Sequence, residues 1–420
     1  MATSNTQNWS LACFQDHGDT GSVALIHCKD GKISVEKMPT GAASGLENSR
    51  RPVYLNANAD GTAVMMEAES KEISVQQEIP ADAFGIYYYP DTHQEVLWCT
   101  IDGESKTGSD PVNCPDNGAA VIAMKGNGLE TRVLKTICLG RGHHVVTTVN
   151  QDGLSKKSFI SSLLDGILSV IDNDPASDSY LEIIDTVNLC QNDKEKDAKD
   201  SVPNNAFPHG MAYSPVTKKI YCLNNGYANI NVVDPESHKI EAFIDMNLSS
   251  NLLLSPDGKF LIGKGADRKG NQDHVMGRLS VVDVQTQKME TELDLQDIYP
   301  STYRFTPDGK KLYVTTAATG KGVQKDNLIY DTLYVYDSSA LPQLTLLKEI
   351  KVGLADCGRR SIAFLRVGNE TPFIFVPNPT DGSVTVLDGK NDEIIDTLEI
   401  GAKNANETAF SYWDGCFYGA

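Results

Sequence analysis

Between residues 207 and 246 the chain reads FPHGMAYSPVTKKIYCLNNGYANINVVDPESHKIEAFIDM, four short apolar runs divided by turn residues. The runs cover 211–213, 219–223, 229–233 and 240–244, and the turns between them include Ser214-Pro215-Val216-Thr217 and Asp234-Pro235-Glu236-Ser237. Runs of this length, rich in Val, Ile and Tyr and bounded by Pro, Gly, Asn and Asp, predict a four-stranded antiparallel meander.

The pattern recurs. LLLSPDGKFLIGKG (252–265) leads to GRLSVVDVQTQKMETELDL, YRFTPDGKKLYVTT (303–316) to DTLYVYDSSALPQLTLLKEIKVG, and SIAFLRVGNETPFIFVPNP (361–379) to GSVTVLDGKNDEIIDTLEIG. A repeat of about forty to fifty residues made only of strands predicts propeller blades. Earlier in the chain, strand-like runs at 10–14, 22–28 and 32–37, a hairpin over 52–68, a run at 73–75, and further runs at 84–89, 95–101, 119–124 and 131–137 continue it less regularly. Residues 143–190 supply another blade. The last apolar run, Thr408 to Tyr412, has no partner downstream, so it is expected to pair with the N-terminal strands and close the ring. The expectation is an all-β, seven-bladed β-propeller over 1–420 as one domain. Eight blades follow if 51–80 stands alone.

The succession of an apolar strand, a turn such as SPDG, a strand such as KLYVT and a strand ending in V-x-D resembles the YVTN-type propeller repeat, most plainly from about 205 to 400. That resemblance implies that each blade's innermost strand lines a central channel and that the residues just before it stand at the mouth. The aligned mouth segments are Arg50-Arg51-Pro52, Arg141-Gly142-His143-His144, Pro208-His209-Gly210, Ser249-Ser250-Asn251, Pro300-Ser301-Thr302 and Arg359-Arg360-Ser361. Arginines and imidazoles are thereby expected around one opening. His209, His144 and Arg360 are the expected catalytic residues, and Arg51, Arg359, Arg304 and His143 the substrate-binding ones. In an extended segment His143 and His144 face opposite ways, and His144 is assigned to the channel. His17 and His274 are loop histidines beside Asp. No metal ligand is assigned, no cofactor is expected, and a structural metal ion is left open.

Charge narrows the partners. A net charge of −19 and a pI near 4.8 argue against nucleic acid, since few cations are present to neutralise a phosphate backbone. No run approaches the ~20 apolar residues of a membrane helix. The start MATSNTQNWS lacks the basic and apolar regions of a signal peptide, so the protein is expected either to be secreted with its signal removed, the favoured reading, or to be cytoplasmic, and in both cases a monomer. None of the nine cysteines forms a CxxC pair, which removes the zinc-ribbon and redox-motif readings. Cys99 and Cys114 flank the hydrophilic excursion 102–118 and are expected to staple it, while Cys222 reads as a buried small residue. The charged stretch QNDKEKDAKD (191–200) reads as a solvated connection.

An arginine-rich mouth suits a carboxylated substrate. Arginine holds a carboxylate in bidentate fashion, easing deprotonation of the adjacent carbon, while a histidine serves as base and acid. This describes β-elimination on a uronic acid, and propeller polysaccharide lyases that remove glucuronate-linked sugars are similar in outline. A carbon-oxygen lyase acting on an acidic saccharide is therefore the main expectation. Propeller lactonases and muconate-cyclising enzymes are similar too and form the alternative, with a copper- or zinc-binding propeller behind them. A non-catalytic binding scaffold is a further reading.

Overall fold

The computed structural model describes residues 9–16, 21–29, 32–39, 56–57, 63–66, 73–76, 83–91, 96–105, 114, 120–125, 132–151, 154–195, 202–267, 274–318, 327–356, 359–367, 370–401, 403–405, 407–411 and 417–418. The regular structure among them is strand throughout, in seven sheets of four or five strands and one of three, antiparallel except where Arg359–Arg360 runs parallel to Glu407–Ser411. The chain is a β-propeller. Blade 2 runs over 83–138, blade 3 over 146–188, blade 4 over 208–245, blade 5 over 251–296, blade 6 over 300–351 and blade 7 over 363–399. The strands Asn56–Ala57, Ala63–Met66 and Ile73–Gln76 form a sheet of their own.

Blade 1 joins both ends of the chain. Glu407–Ser411 pairs antiparallel with Trp9–Asp16, in the register Ala12↔Ser411 to Asp16↔Glu407, and Gly21–Lys29 and Lys32–Pro39 complete the sheet. The expected closure is present. The chain then returns: Phe417–Tyr418 pairs with Ala363–Leu365, the innermost strand of blade 7.

Strands two and three of a blade are buried on both faces, so they read as continuous apolar runs rather than alternating ones. Lys311–Thr316 and Thr332–Asp337 each carry five consecutive buried residues. Alternation instead decides which neighbour each side chain meets. Leu312, Val314, Tyr334 and Tyr336 pack against Ile262, Leu279 and Val281 of blade 5. Tyr313, Leu333 and Val335 pack against Phe364, Ile374 and Val376 of blade 7. The core is thus a set of wedges between successive sheets.

Fourth strands are outermost and largely exposed. In blades 2 to 7 the register shifts once in this outer pairing, leaving Leu134, Ile184, Glu241, Glu290, Leu347 and Ile395 bulged. A bulge twists and interrupts an edge that would otherwise template strand addition.

The hydrophilic excursion after blade 2's second strand is stapled, but not as expected. Cys114 bonds Cys138, at the end of the outer strand Arg132–Cys138, while Cys99 lies buried inside Val96–Ser105 and belongs to no disulfide. Cys99 is held in the sheet by its pairing with Tyr88 and Ile122, and Cys114 takes the last residue of the outer strand as its partner instead. Cys222 is fully buried, and burial pushes its thiol up to about 12. In the charged stretch 191–200 only residues 191–195 are described, and Gln191 and Glu195 among them make specific contacts. Gln191 is buried and exchanges amide hydrogen bonds with Asn229 and Asn231, and Glu195 accepts from Asn205 and from the Tyr227 hydroxyl.

Candidate functional site

Blades 2 to 6 each have four antiparallel strands, so their innermost strands begin at the same end of the ring. The innermost strands of blades 2 to 5 also contact one another in succession. The segments before Val146, Pro208, Asn251 and Pro300 therefore meet at one mouth.

His143 is fixed by the loop that carries it. Gly142 lies so close to blade 2 that a Cβ there would come within 2.5 Å of the Asp102 Cα, and its N–H donates to the Asp102 carbonyl at 3.3 Å. Asp102 then uses both carboxylate oxygens: Oδ1 accepts from the His144 N–H at 3.2 Å and Oδ2 meets His143 Nδ1 at 3.1 Å. The neighbouring Arg141 is held by Asp165, which accepts from its backbone N–H at 2.7 Å and from Nε and Nη2 at 2.9 and 2.6 Å.

The His209 ring stacks on His143, with centroids 4.7 Å apart and planes 24° from parallel. Its Nδ1 meets Asn251 Oδ1 at 3.0 Å. An amide oxygen only accepts, so Nδ1 carries the proton and Nε2 the lone pair. Gly210 makes this approach feasible, because a Cβ there would lie 2.6 Å from the Leu252 N and 2.9 Å from the Asn251 Cα. Burial lowers the His209 pKa to about 4. The nearby His143 and Lys264 push in the same direction, against hydrogen bonds to Ser250 and Asn251. His209 is thus neutral at physiological pH.

His144, expected to face the channel, is the more buried of the two neighbouring imidazoles. His143 is the partly exposed ring at the mouth, whereas His144 is completely buried, donates Nδ1–H to the Ser161 carbonyl at 2.7 Å, and has its Nε2 unpartnered. Burial is the main cause of its lowered pKa.

Arg360 departs further from expectation. It is 1% exposed and donates Nη1 to Asn378 Oδ1 at 3.3 Å and Nη2 to the carbonyls of Gly353, at 2.9 Å, and Tyr330. Desolvation lowers its pKa to about 9, with Asp331 and Asp381 opposing. Its guanidinium clasps blades 6 and 7 and is not presented at the mouth. Arg304 is half-buried and donates Nη1 to the adjacent Tyr303 carbonyl at 3.0 Å. Arg359 pairs through its backbone with Glu407, and its side chain, like Arg51 and His17, lies outside the described residues. His274 Nδ1 meets Asp297 at 2.8 Å. Among the described residues no group of three or more His, Cys, Asp or Glu is disposed to hold a metal ion.

Sequence reasoning placed Asn251 in a mouth segment without giving it a role, and did not single out Asp102 or Lys264. Asp102 was read as the start of a loop, but its strand continues to Ser105. Lys264 did leave a signal, a charge between two glycines in an otherwise apolar second strand.

Solved structures with this fold include the periplasmic gluconolactonase PpgL of Pseudomonas aeruginosa (TM-score 0.56, 13% identity, covering 96% of this chain and 99% of that one). Others are a hydrazine synthase of Kuenenia stuttgartiensis (0.55, 14%, 81% and 93%) and a putative 6-phosphogluconolactonase of Bacteroides uniformis (0.53, 13%, 96% and 99%). At such identities the likeness establishes the fold. No protein-family model and no curated protein matches the chain by sequence.

Proposed function

We propose that this propeller is a lactonase-type enzyme that hydrolyses the ring ester of a sugar acid. The observation that carries the reading is the His143 imidazole, oriented by Asp102 and stacked on a second imidazole that burial keeps neutral. With Nδ1–H directed at the Asp102 carboxylate, His143 Nε2 carries the lone pair of a general base. It takes a proton from water as the oxygen attacks the lactone carbonyl. The ring C–O bond then breaks, and the departing alkoxide recovers that proton, giving a hydroxy acid. His209 Nε2 stands beside it as a second acceptor for orienting the water. A gluconolactonase and a putative 6-phosphogluconolactonase among the structures of this fold support the same chemistry. The lyase reading relied on arginines gripping a carboxylate, and the burial of Arg360 removes one of them.

Hydrolysis of five- and six-membered aldonolactones, followed in a pH-stat, tests the proposal. The wild type should exceed the spontaneous rate, and His143→Ala and His209→Ala should each lower kcat by about a hundredfold. No acceleration of any lactone, with new ultraviolet absorbance on acidic polysaccharides, would replace it with elimination.

A further inference from the structure

The two stacked imidazoles have different partners. His143 meets a carboxylate, Asp102 of blade 2, and His209 meets a carboxamide, Asn251 of blade 5. Both rings direct Nδ1 at an oxygen, at 3.1 and 3.0 Å, so the two arrangements are alike in shape and differ by one formal charge. A carboxylate stabilises an imidazolium by charge, whereas an amide oxygen offers only a dipole.

Asn251 is built into the sheet. It opens the innermost strand Asn251–Leu254, its backbone pairs with Lys264 in Phe260–Asp267, and its side chain is half-buried. The Ser250 carbonyl is a second hydrogen-bond acceptor for the His209 ring. Burial is the largest influence on that ring and excludes an additional proton. His143 and Lys264 act the same way, while the hydrogen bonds to Ser250 and Asn251 work against burial without overcoming it. Asp102 meets the pair at His143. The two acceptors that hold His209 are neutral, so neither supplies the charge that would reverse the effect of burial.

We infer that Asn251 is a positioning residue: it holds the His209 ring by Nδ1–H and, being an amide rather than a carboxylate, leaves that ring uncharged, so that His143 is the one imidazole of the pair to take up a proton. This rests on the lactonase reading for the source of the proton, a water attacking the ring ester, while the difference between the two rings stands on their partners. Two imidazolium rings with centroids 4.7 Å apart would repel each other. A charged His209 would also carry a proton on Nε2 and donate where the attacking water needs an acceptor.

Replacing the amide by a carboxylate of the same shape tests it. The imidazole carbon-bound proton signals of His143 and His209 are followed by NMR against pH in the wild type and in Asn251→Asp. In the wild type His209 should titrate near 4, and in Asn251→Asp at about 5–7, the usual effect of a carboxylate partner. Asn247→Asp, which adds the same charge at an exposed residue of the preceding loop, should leave the His209 curve in place. In turnover of an aldonolactone, the acid limb of kcat against pH should steepen from one proton in the wild type to two in Asn251→Asp, with KM little changed and kcat recovering as pH rises above that range. An asparagine that only shaped the loop would leave this profile unmoved. A His209 titration that stays near 4 in Asn251→Asp, an equal rise in Asn247→Asp, or a raised titration with an unchanged kcat profile overturns the inference. If the titration moves as stated but no lactone is turned over, the lactonase reading fails and the hold of Asn251 on His209 remains.

Discussion

A neutral histidine in contact with another histidine and near a lysine leaves a trace in stability. Unfolded, the His209 imidazole takes its proton near the ordinary value of about 6.5. Folded, it does so only near 4. Between those values the unfolded chain binds more protons, so stability falls as pH drops from about 6.5 to about 4, by as much as about 3 kcal/mol for this one group. Buried His144 acts in the same direction. Denaturant midpoints measured across this window should fall with acid in the wild type and fall less in His209→Gln. A profile unchanged by that substitution would mean that the ring is more solvated than its contacts imply.

At the scale of one element, the S-P-D-G turn shows how a repeat becomes a ring. In blade 5 the Ser255 hydroxyl donates to Asp257 at 2.7 Å and accepts from the Phe260 N–H at 2.9 Å, and Gly258 takes φ +75°. The turn also joins its neighbours, since Ser214 Oγ donates to the Gly258 carbonyl at 2.6 Å and Pro256 packs near Gly309 of blade 6. A Cβ on Gly258 would lie 3.2 Å from both Pro215 and Val216. Gly258→Ala should therefore cost about 1–2 kcal/mol, from the left-handed backbone alone and before any crowding, and chemical denaturation will read it. Lys218, Gln287 and Asp392 adopt positive φ at other turns without being glycine, so glycine marks only some of these positions in the sequence.

For the whole molecule, closure decides stability. Each wedge of core is shared by two blades, so an unclosed blade 1 would expose its own face and that of blade 7. Leu11, Cys13 and Ile26 pack with Phe375, Val384 and Val386 across this seam. Deleting residues 405–420 removes the strand that brings them together. The truncated chain should unfold at a lower temperature with loss of cooperativity around the whole ring. A truncation melting like the parent would show that the closing strand is dispensable.

The repeated strand runs, the SPDG-like turns and the unpartnered run near residue 408 determined the propeller and its closure, because hydrophobic period and turn chemistry are local properties that a single chain displays directly. The alignment of blade entries also placed His143 and His209 at equivalent positions of successive blades, and their rings are in contact. The facing of each side chain was settled only by tertiary packing. His143 and His144 differ by one residue, and the approach of Gly142 to Asp102 decided which of the two rings reached the mouth. Arg360 resembled a ligand-binding arginine in sequence and became a buried clasp because Asn378 and the carbonyls of Tyr330 and Gly353 close around it. Asp102 and Asn251 meet the two imidazoles through contacts between blades, which depend on how neighbouring sheets wedge together; the periodic alignment places Asn251 in a mouth segment but does not show its partner.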